Sequence, residues 1–483
     1  MSDAAPVRPP GVRPVVVATV AAAATLLAWQ LLVPLVVGLA NNGDFERVLG
    51  PVGLRAAATE RSEKYFSWIV TRFENAPAGW YPTGLKTSET LLAGAAKAAS
   101  RPFEPDGAFD LRWLGALHAL LLVAGLGLLV SATAPLPPAA RWTAAALLVF
   151  VFTDVGYAAP LNSFYSQAAS LAFLLPALGL LARAAASPER AGPAWAIAFL
   201  ACAGGYAGSK PQEALQGLLL AAFAVRIAAV SGRPRRAATV VASAFLAAFS
   251  LWYARQTPPE IADVAKYHKV FMELLPSSPE PERDLRDLGL DPSWIAAAGK
   301  IAYPPSSPFQ DPSFRSQFLA RFSYPRLLRF YATHPSRLVA TVRDGGREAL
   351  RLRHPRFGNF EHREGVPPGA QTSAFSLWSR MRLGLPGHPL LWIGALWVAS
   401  LAAAAAGWRR ATVPGRLARE GIVLLVAMAA LAFTICVLSN AHGDLARHFY
   451  VFHALTDLLL IADVVWIVAR IDARRVAAAP AAA

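Results

Sequence analysis

Long apolar runs alternate with short polar ones along most of the chain. Ten apolar segments read as membrane spans: 15–39, 111–131, 139–155, 166–185, 192–208, 212–230, 237–254, 388–407, 421–439 and 449–469. A hydrocarbon core about 30 Å thick needs about 20 residues of helix to cross it. Inside lipid no water satisfies the backbone, so each span is expected to be a helix. The pattern predicts an all-α integral membrane protein with about ten transmembrane helices, one polytopic domain over 1–483. Two longer polar stretches interrupt it, 41–110 after the first span and 255–387 between the seventh and eighth. In the second, Leu327, Leu328, Tyr331, Leu338 and Val339 interleave with Arg326, Arg329, Arg337 and Arg343. That mixture suits a helix lying in the headgroup plane or an amphipathic helix packed on the spans. No internal repeat is evident.

Composition supports the membrane reading. The chain is 55% hydrophobic and 16% charged, against about 25% charged for a soluble domain. The net charge of +15 does not signal nucleic acid, because the arginines sit in short loops between spans. Arg13, Arg141, Arg183, Arg190, Arg235, Arg236, Arg409, Arg410 and Arg470 fall in one set of loops. The opposite short loops carry little beyond Lys210 and Arg447. By the positive-inside rule the first set is cytoplasmic, and so are both termini. The first span is longer than a signal-peptide core of about 7–15 residues, so it is expected to be retained. Cys202 and Cys436 lie within apolar runs and behave there as small hydrophobes. The Ala- and Arg-rich composition fits a bacterial cytoplasmic membrane protein.

The polar clusters then collect on one side. "NNGDFERV" (41–48), "TDVGYAAPLNSFYSQ" (153–167), "GSKPQE" (208–213) and "NAHGDLARHFY" (440–450) all fall at outer span ends. Each has an ordinary explanation alone: Asn41 closing a helix, Asp154 solvated in a loop, Lys210 reaching for headgroups. Four together on one face point to a site, since such groups are costly beside hydrocarbon. An outer-face carboxylate can act as a general base. A nearby Lys or Arg can hold a phosphate whose lipid tail lies in the bilayer. The combination suggests group transfer from a lipid phosphate.

An acidic motif opening the first outer loop directly after the first span resembles the GT-C superfamily of membrane glycosyltransferases. "NGDF", "NSFYSQ" and "GDLARHFY" look most like its bacterial cell-surface glycan members. The resemblance implies an inverting glycosyltransferase with a polyprenyl-phosphate sugar as donor and a glycan, lipid or protein as acceptor. By carry-over, Asp44 matches the catalytic base, with Glu46 and Asp154 as further acidic residues of the catalytic set. Arg447 matches a donor-phosphate contact, with His448, Lys210 and Lys86 as further candidates. Asn162, Tyr165, Gln212, His442 and Asp444 are candidates for binding the acceptor or donor sugar. Phe45 interrupts the usual adjacent acidic pair, the prolines that commonly flank the position of Lys86 are absent, and Gln167 stands where a Glu is expected. Asp44, Glu46 and Asp154 offer oxygen ligands to Mg²⁺ or Mn²⁺, but no metal is assigned. The competing readings are a transporter or flippase, with Asp457 and Asp463 in the last span unexplained, and a structural partner in an envelope complex. Transport folds usually place their charges near the midplane within repeated halves, and neither feature is visible here.

Overall fold

The computed structural model describes residues 11–478, apart from 34, 59, 105 and 440–443. The protein is an all-α integral membrane protein. Among the described residues seven helices are long and apolar enough to cross a membrane. An eighth is a bent pair, Pro138–Phe152 and Val155–Leu161, turned by 61°. Two shorter apolar helices, Pro193–Ala207 and Pro389–Ala405, occupy the remaining expected positions.

The first span departs from expectation. The apolar run continues to Ala40, yet the helix Val12–Leu32 ends early. Pro34 has no N–H to extend a helix and disfavours helical backbone before it. Residues 36–40 are instead buried chain outside any helix. Gly38 N–H donates to Asn359 O at 3.1 Å and Ala40 N–H to Gly358 O at 3.1 Å. Asn162 Nδ2 donates to both Leu31 O and Val37 O at 2.9 Å. The acidic motif therefore hangs from a braced, buried segment and not from a helix end.

The stretch 41–110 contains a small antiparallel sheet that the apolar pattern does not announce. Leu54–Ala56 pairs with Arg72–Asn75, which pairs with Phe109–Asp110. Phe73 and Phe109 join Phe45 and Phe164 in one buried cluster. Phe45, the residue that splits the acidic pair, is 3% exposed and packs edge-on against Phe164 and Tyr165.

The stretch 255–387 builds its own aromatic core from Tyr267, Phe271, Phe309, Phe318, Phe322 and Phe330. The expected amphipathic helix over 321–346 is two helices, Tyr324–Thr333 and Pro335–Gly346. Leu327, Phe330 and Tyr331 are buried in that core, while Leu328 and Val339 stay exposed. A π-helical turn, Lys269–Leu274, ties this unit to the ninth span. There Lys269 pairs with Glu273 and donates to Val437 O at 2.6 Å.

The charges inside the last span have partners. Asp457 accepts from Tyr157 Oη at 2.7 Å, Trp378 Nε1 at 2.8 Å and Arg382 Nη1 at 2.6 Å. Arg382 also bonds His453 Nδ1 at 2.7 Å. Asp463 accepts from Ser400 Oγ. Asp457 thus ties the end of the stretch 255–387 to the bundle.

Candidate active site

The loop after the first span is shaped by Asn41. Its side-chain oxygen accepts from Gly43 N–H at 2.8 Å and Phe45 N–H at 3.1 Å, a local turn that Asn forms readily. Gly43 has φ 103°, a conformation open mainly to glycine. The loop is pinned on its far side by Tyr165. The phenol donates to Ala40 O at 2.9 Å and accepts from Asn42 N–H at 2.9 Å.

This turn presents Asp44 to two arginines. One carboxylate oxygen lies 2.8 Å from Arg47 and the other 2.7 Å from Arg447. Arg447 comes from the short helix Leu445–His448 just before the last span. Its Nε donates to Asp444 Oδ2 at 3.0 Å. Its guanidinium carbon stands 4.6 Å from the centroid of the Tyr165 ring, a cation–π distance. His354 Nε2 and His448 Nε2 approach Asp444 at 3.5 Å and 3.6 Å. Arg447 is therefore held between two carboxylates and an aromatic face.

The electrostatics follow from burial and these neighbours. Burial pushes the Asp44 carboxyl up, but Arg447 and Arg47 outweigh it and hold the group well below the usual carboxylate range. Asp444 is lowered in the same way, burial being overcome chiefly by Arg447. Burial alone would discharge Arg447, yet Asp444 and Asp44 keep it firmly cationic. Burial pulls the Lys210 ammonium down to about 8, with Glu213 opposing. It pulls His448 down to about 3, so that imidazole is neutral near pH 7.

Asp44, Arg47, Tyr165, Lys210, Arg447 and His448 border a cavity of roughly 500 Å³, the size of a small-molecule site. Its polar side carries Asp44, Arg47, Tyr165, Gln167, Lys210 and Arg447, with Gln212, His448 and Ser439 beside them. The lining also has an apolar part. Ile261, Ala262 and Ala265 of the helix Pro259–His268 belong to it, with Val48, Leu85 and Ile435.

Of the residues singled out from the sequence, Asp44, Tyr165, Lys210, Gln212, Arg447 and His448 line this cavity. Asp444 stands behind Arg447 and is not in its lining. Glu46 is turned aside, accepting from Asn41 Nδ2 at 3.2 Å and Tyr65 Oη at 2.8 Å. Asp154 caps a helical turn, accepting from Gly156 N–H at 2.8 Å and Ser379 N–H at 3.0 Å. Asn162 is fully buried as the brace described above. Lys86 has an exposed side chain, and only its neighbours Leu85 and Thr87 reach the cavity. His442 lies outside the described residues. Lys266 and Tyr324 in the lining, and His354 behind Asp444, were not anticipated. They lie within 255–387, where no local pattern distinguishes them.

Asp44, Glu46 and Asp154 do not form one ligand set, since each is committed to different partners. Among the described residues no group of three or more His, Cys, Asp or Glu is placed to hold a metal ion.

No curated protein and no solved structure matches the chain. The family model described as the YfdI N-terminal transmembrane domain matches residues 6–479, which takes in every span and all the elements that build the cavity. The protein therefore belongs to the YfdI N-terminal transmembrane domain family.

Proposed function

We propose that the protein is a membrane glycosyltransferase that moves a sugar from a polyprenyl-phosphate donor to an acceptor hydroxyl at the outer face. One observation carries this reading: an ionised carboxylate, Asp44, lines a cavity of roughly 500 Å³ together with Arg447, Arg47, Lys210 and an apolar wall that includes Ile261, Ala262 and Ala265. Membership of the YfdI family supports it. The apolar wall suits a lipid chain, and the cations suit the phosphate next to it.

In this reaction the acceptor oxygen attacks the anomeric carbon and its proton passes to Asp44. The bond from that carbon to the phosphate oxygen breaks, and polyprenyl phosphate leaves with the electron pair. Attack from the side opposite the leaving group inverts the anomeric centre. Arg447 and Lys210 stabilise the charge that develops on the leaving phosphate. A carboxylate clamped by two arginines is a weak base, because a general base works best with a pKa near the working pH. An incoming phosphate competes with Asp44 for Arg447 and Arg47. Sharing those cations raises the basicity of Asp44 when donor is bound, and leaves it low when the site is empty.

The alternative is a flippase that moves the same lipid without cleaving it. Grouping of the polar residues at one end of the bundle favours transfer, since transport sites usually lie near the midplane. The purified protein in lipid nanodiscs, given polyprenyl-phosphate sugars and an extract of envelope glycans, distinguishes the two. Transfer predicts label in the glycan and free polyprenyl phosphate. Movement of intact donor in proteoliposomes, with no cleavage, would replace this reading by transport. The outward orientation is tested by labelling intact cells: a cysteine at Ser306 reacts with an impermeant reagent and one at Gly232 does not.

A further inference from the structure

The helix Leu377–Leu383, near the end of the stretch 255–387, is built inside out. Its inward positions are polar: Ser376, Ser379 and Arg382 are 2%, 5% and 3% exposed. Its outward positions are mostly apolar: Leu377, Met381 and Leu383 are 59%, 53% and 54% exposed. In water this arrangement is backwards, since burying one such side chain is worth about 1.5–3 kcal/mol. The same arrangement is what lipid selects, with polar groups satisfied inside and apolar ones facing acyl chains.

Its partners set its depth. Trp378 and Arg382 both bond Asp457, which lies two turns, about 10 Å, into the helix that starts at Tyr450. The first Lys or Arg further along that helix is Arg470. A hydrocarbon core of about 30 Å, or about 20 residues, measured back from Arg470 reaches Tyr450, so Asp457 lies inside it. Trp378 also meets Phe150 of the third span, ring centroids 6.1 Å apart. That helix, Pro138–Phe152, has 15 residues and spans only about 22 Å, which leaves membrane depth beside its end for another element.

We propose that Leu377–Leu383 is a shallow re-entrant helix embedded in the leaflet at the site end of the bundle, with Leu377, Met381 and Leu383 against lipid. Arg382 and Ser379 fasten its inner face, through Asp457 and Asp154. Arg380, on the exposed side, runs its stem along the apolar surface and puts its charge among the headgroups. The stretch 255–387 is then not wholly outside the membrane, and this holds whichever reaction the cavity performs.

The test places an environment-sensitive nitrobenzoxadiazole dye on Met381→Cys and, as an aqueous control, on Arg363→Cys, whose side chain is 73% exposed. The full chain is reconstituted in nanodiscs, and unsubstituted protein gives the background from Cys202 and Cys436. Lipids carrying a doxyl group on the acyl chain should quench the dye at 381 several-fold more than at 363. Iodide in the buffer should show the reverse preference. Equal access of iodide to both positions overturns the proposal. So does a dye at 381 that neither quencher reaches, because the face is then covered by protein.

Discussion

Two buried arginines, Arg382 and Arg447, carry the same chemistry in opposite settings. Arg382 and its partner Asp457 are each 3% exposed at the side chain. Neither borders the 500 Å³ cavity. Arg447 is 8% exposed, but its partner Asp44 is 25% exposed and opens into that cavity. Both clusters have a charged pair, an aromatic contact and a histidine nearby. What separates a tie from a site is therefore space for a ligand beside the charges. A sealed pair has already exchanged its water for fixed partners, while an open one can still exchange a partner for a substrate.

Breaking each cluster should have different consequences. The largest effect is expected from Arg382→Ala, which strands Asp457 as a buried charge. Removing one member of a buried pair costs about 3–5 kcal/mol, a large part of a typical stability of about 5–15 kcal/mol. Thermal unfolding in detergent should drop sharply for Arg382→Ala and hardly at all for Arg380→Ala. Equal behaviour of the two would remove the structural role given to the sealed cluster.

Arg447→Lys comes next, and should act on activity more than on folding. Lysine keeps the charge but cannot hold two oxygens in a plane or stack on Tyr165. Losing one charge-assisted bond of about 1.5–3 kcal/mol corresponds to roughly a ten- to hundredfold loss in kcat/KM. Kinetics with donor varied should locate that loss, and an unchanged kcat/KM would show that Arg447 does not contact the phosphate.

The smallest effect is a pH dependence. With its ammonium pulled down to about 8, Lys210 is charged below that pH and neutral above it. Donor KM should therefore rise by a few fold as pH increases through about 8. A bound phosphate favours the charged form, so saturating donor should shift the break upward. Lys210→Arg, which stays charged, should flatten the curve. A KM that is flat in the unsubstituted protein, or equally steep in Lys210→Arg, would take Lys210 out of the donor contact.

The spans are legible in the sequence because lipid leaves the backbone no alternative to helix, and apolar runs mark them within a few residues. Hydropathy misled at the first span, where Val36 to Ala40 are buried by neighbouring chain and not by lipid. It could not reveal the inside-out helix, whose three exposed apolar residues fall in a stretch too short to register. Asp44 and Arg447 stood out because they lie at the set of span ends where charge is sparse. Their convergence, and the ring of Tyr165 beneath Arg447, depend on contacts between distant parts of the chain. Glu46, Asp154 and Asn162 have the same residue types as the site but are taken up by neighbouring backbone or side chains. Type and position along the chain cannot separate those two fates.

We propose that Asp44 accepts the proton of the acceptor hydroxyl. The direct measurement is sugar transfer from a polyprenyl-phosphate donor by purified Asp44→Asn beside the unsubstituted protein, with thermal stability recorded for both. Asparagine keeps the size of the side chain and removes the basic oxygen. The account predicts a fall in kcat of roughly 10²–10⁴, with donor still bound and the unfolding temperature close to that of the unsubstituted protein. Transfer by Asp44→Asn at near the unsubstituted rate would contradict it and leave Asp44 as a partner of Arg47 and Arg447 only.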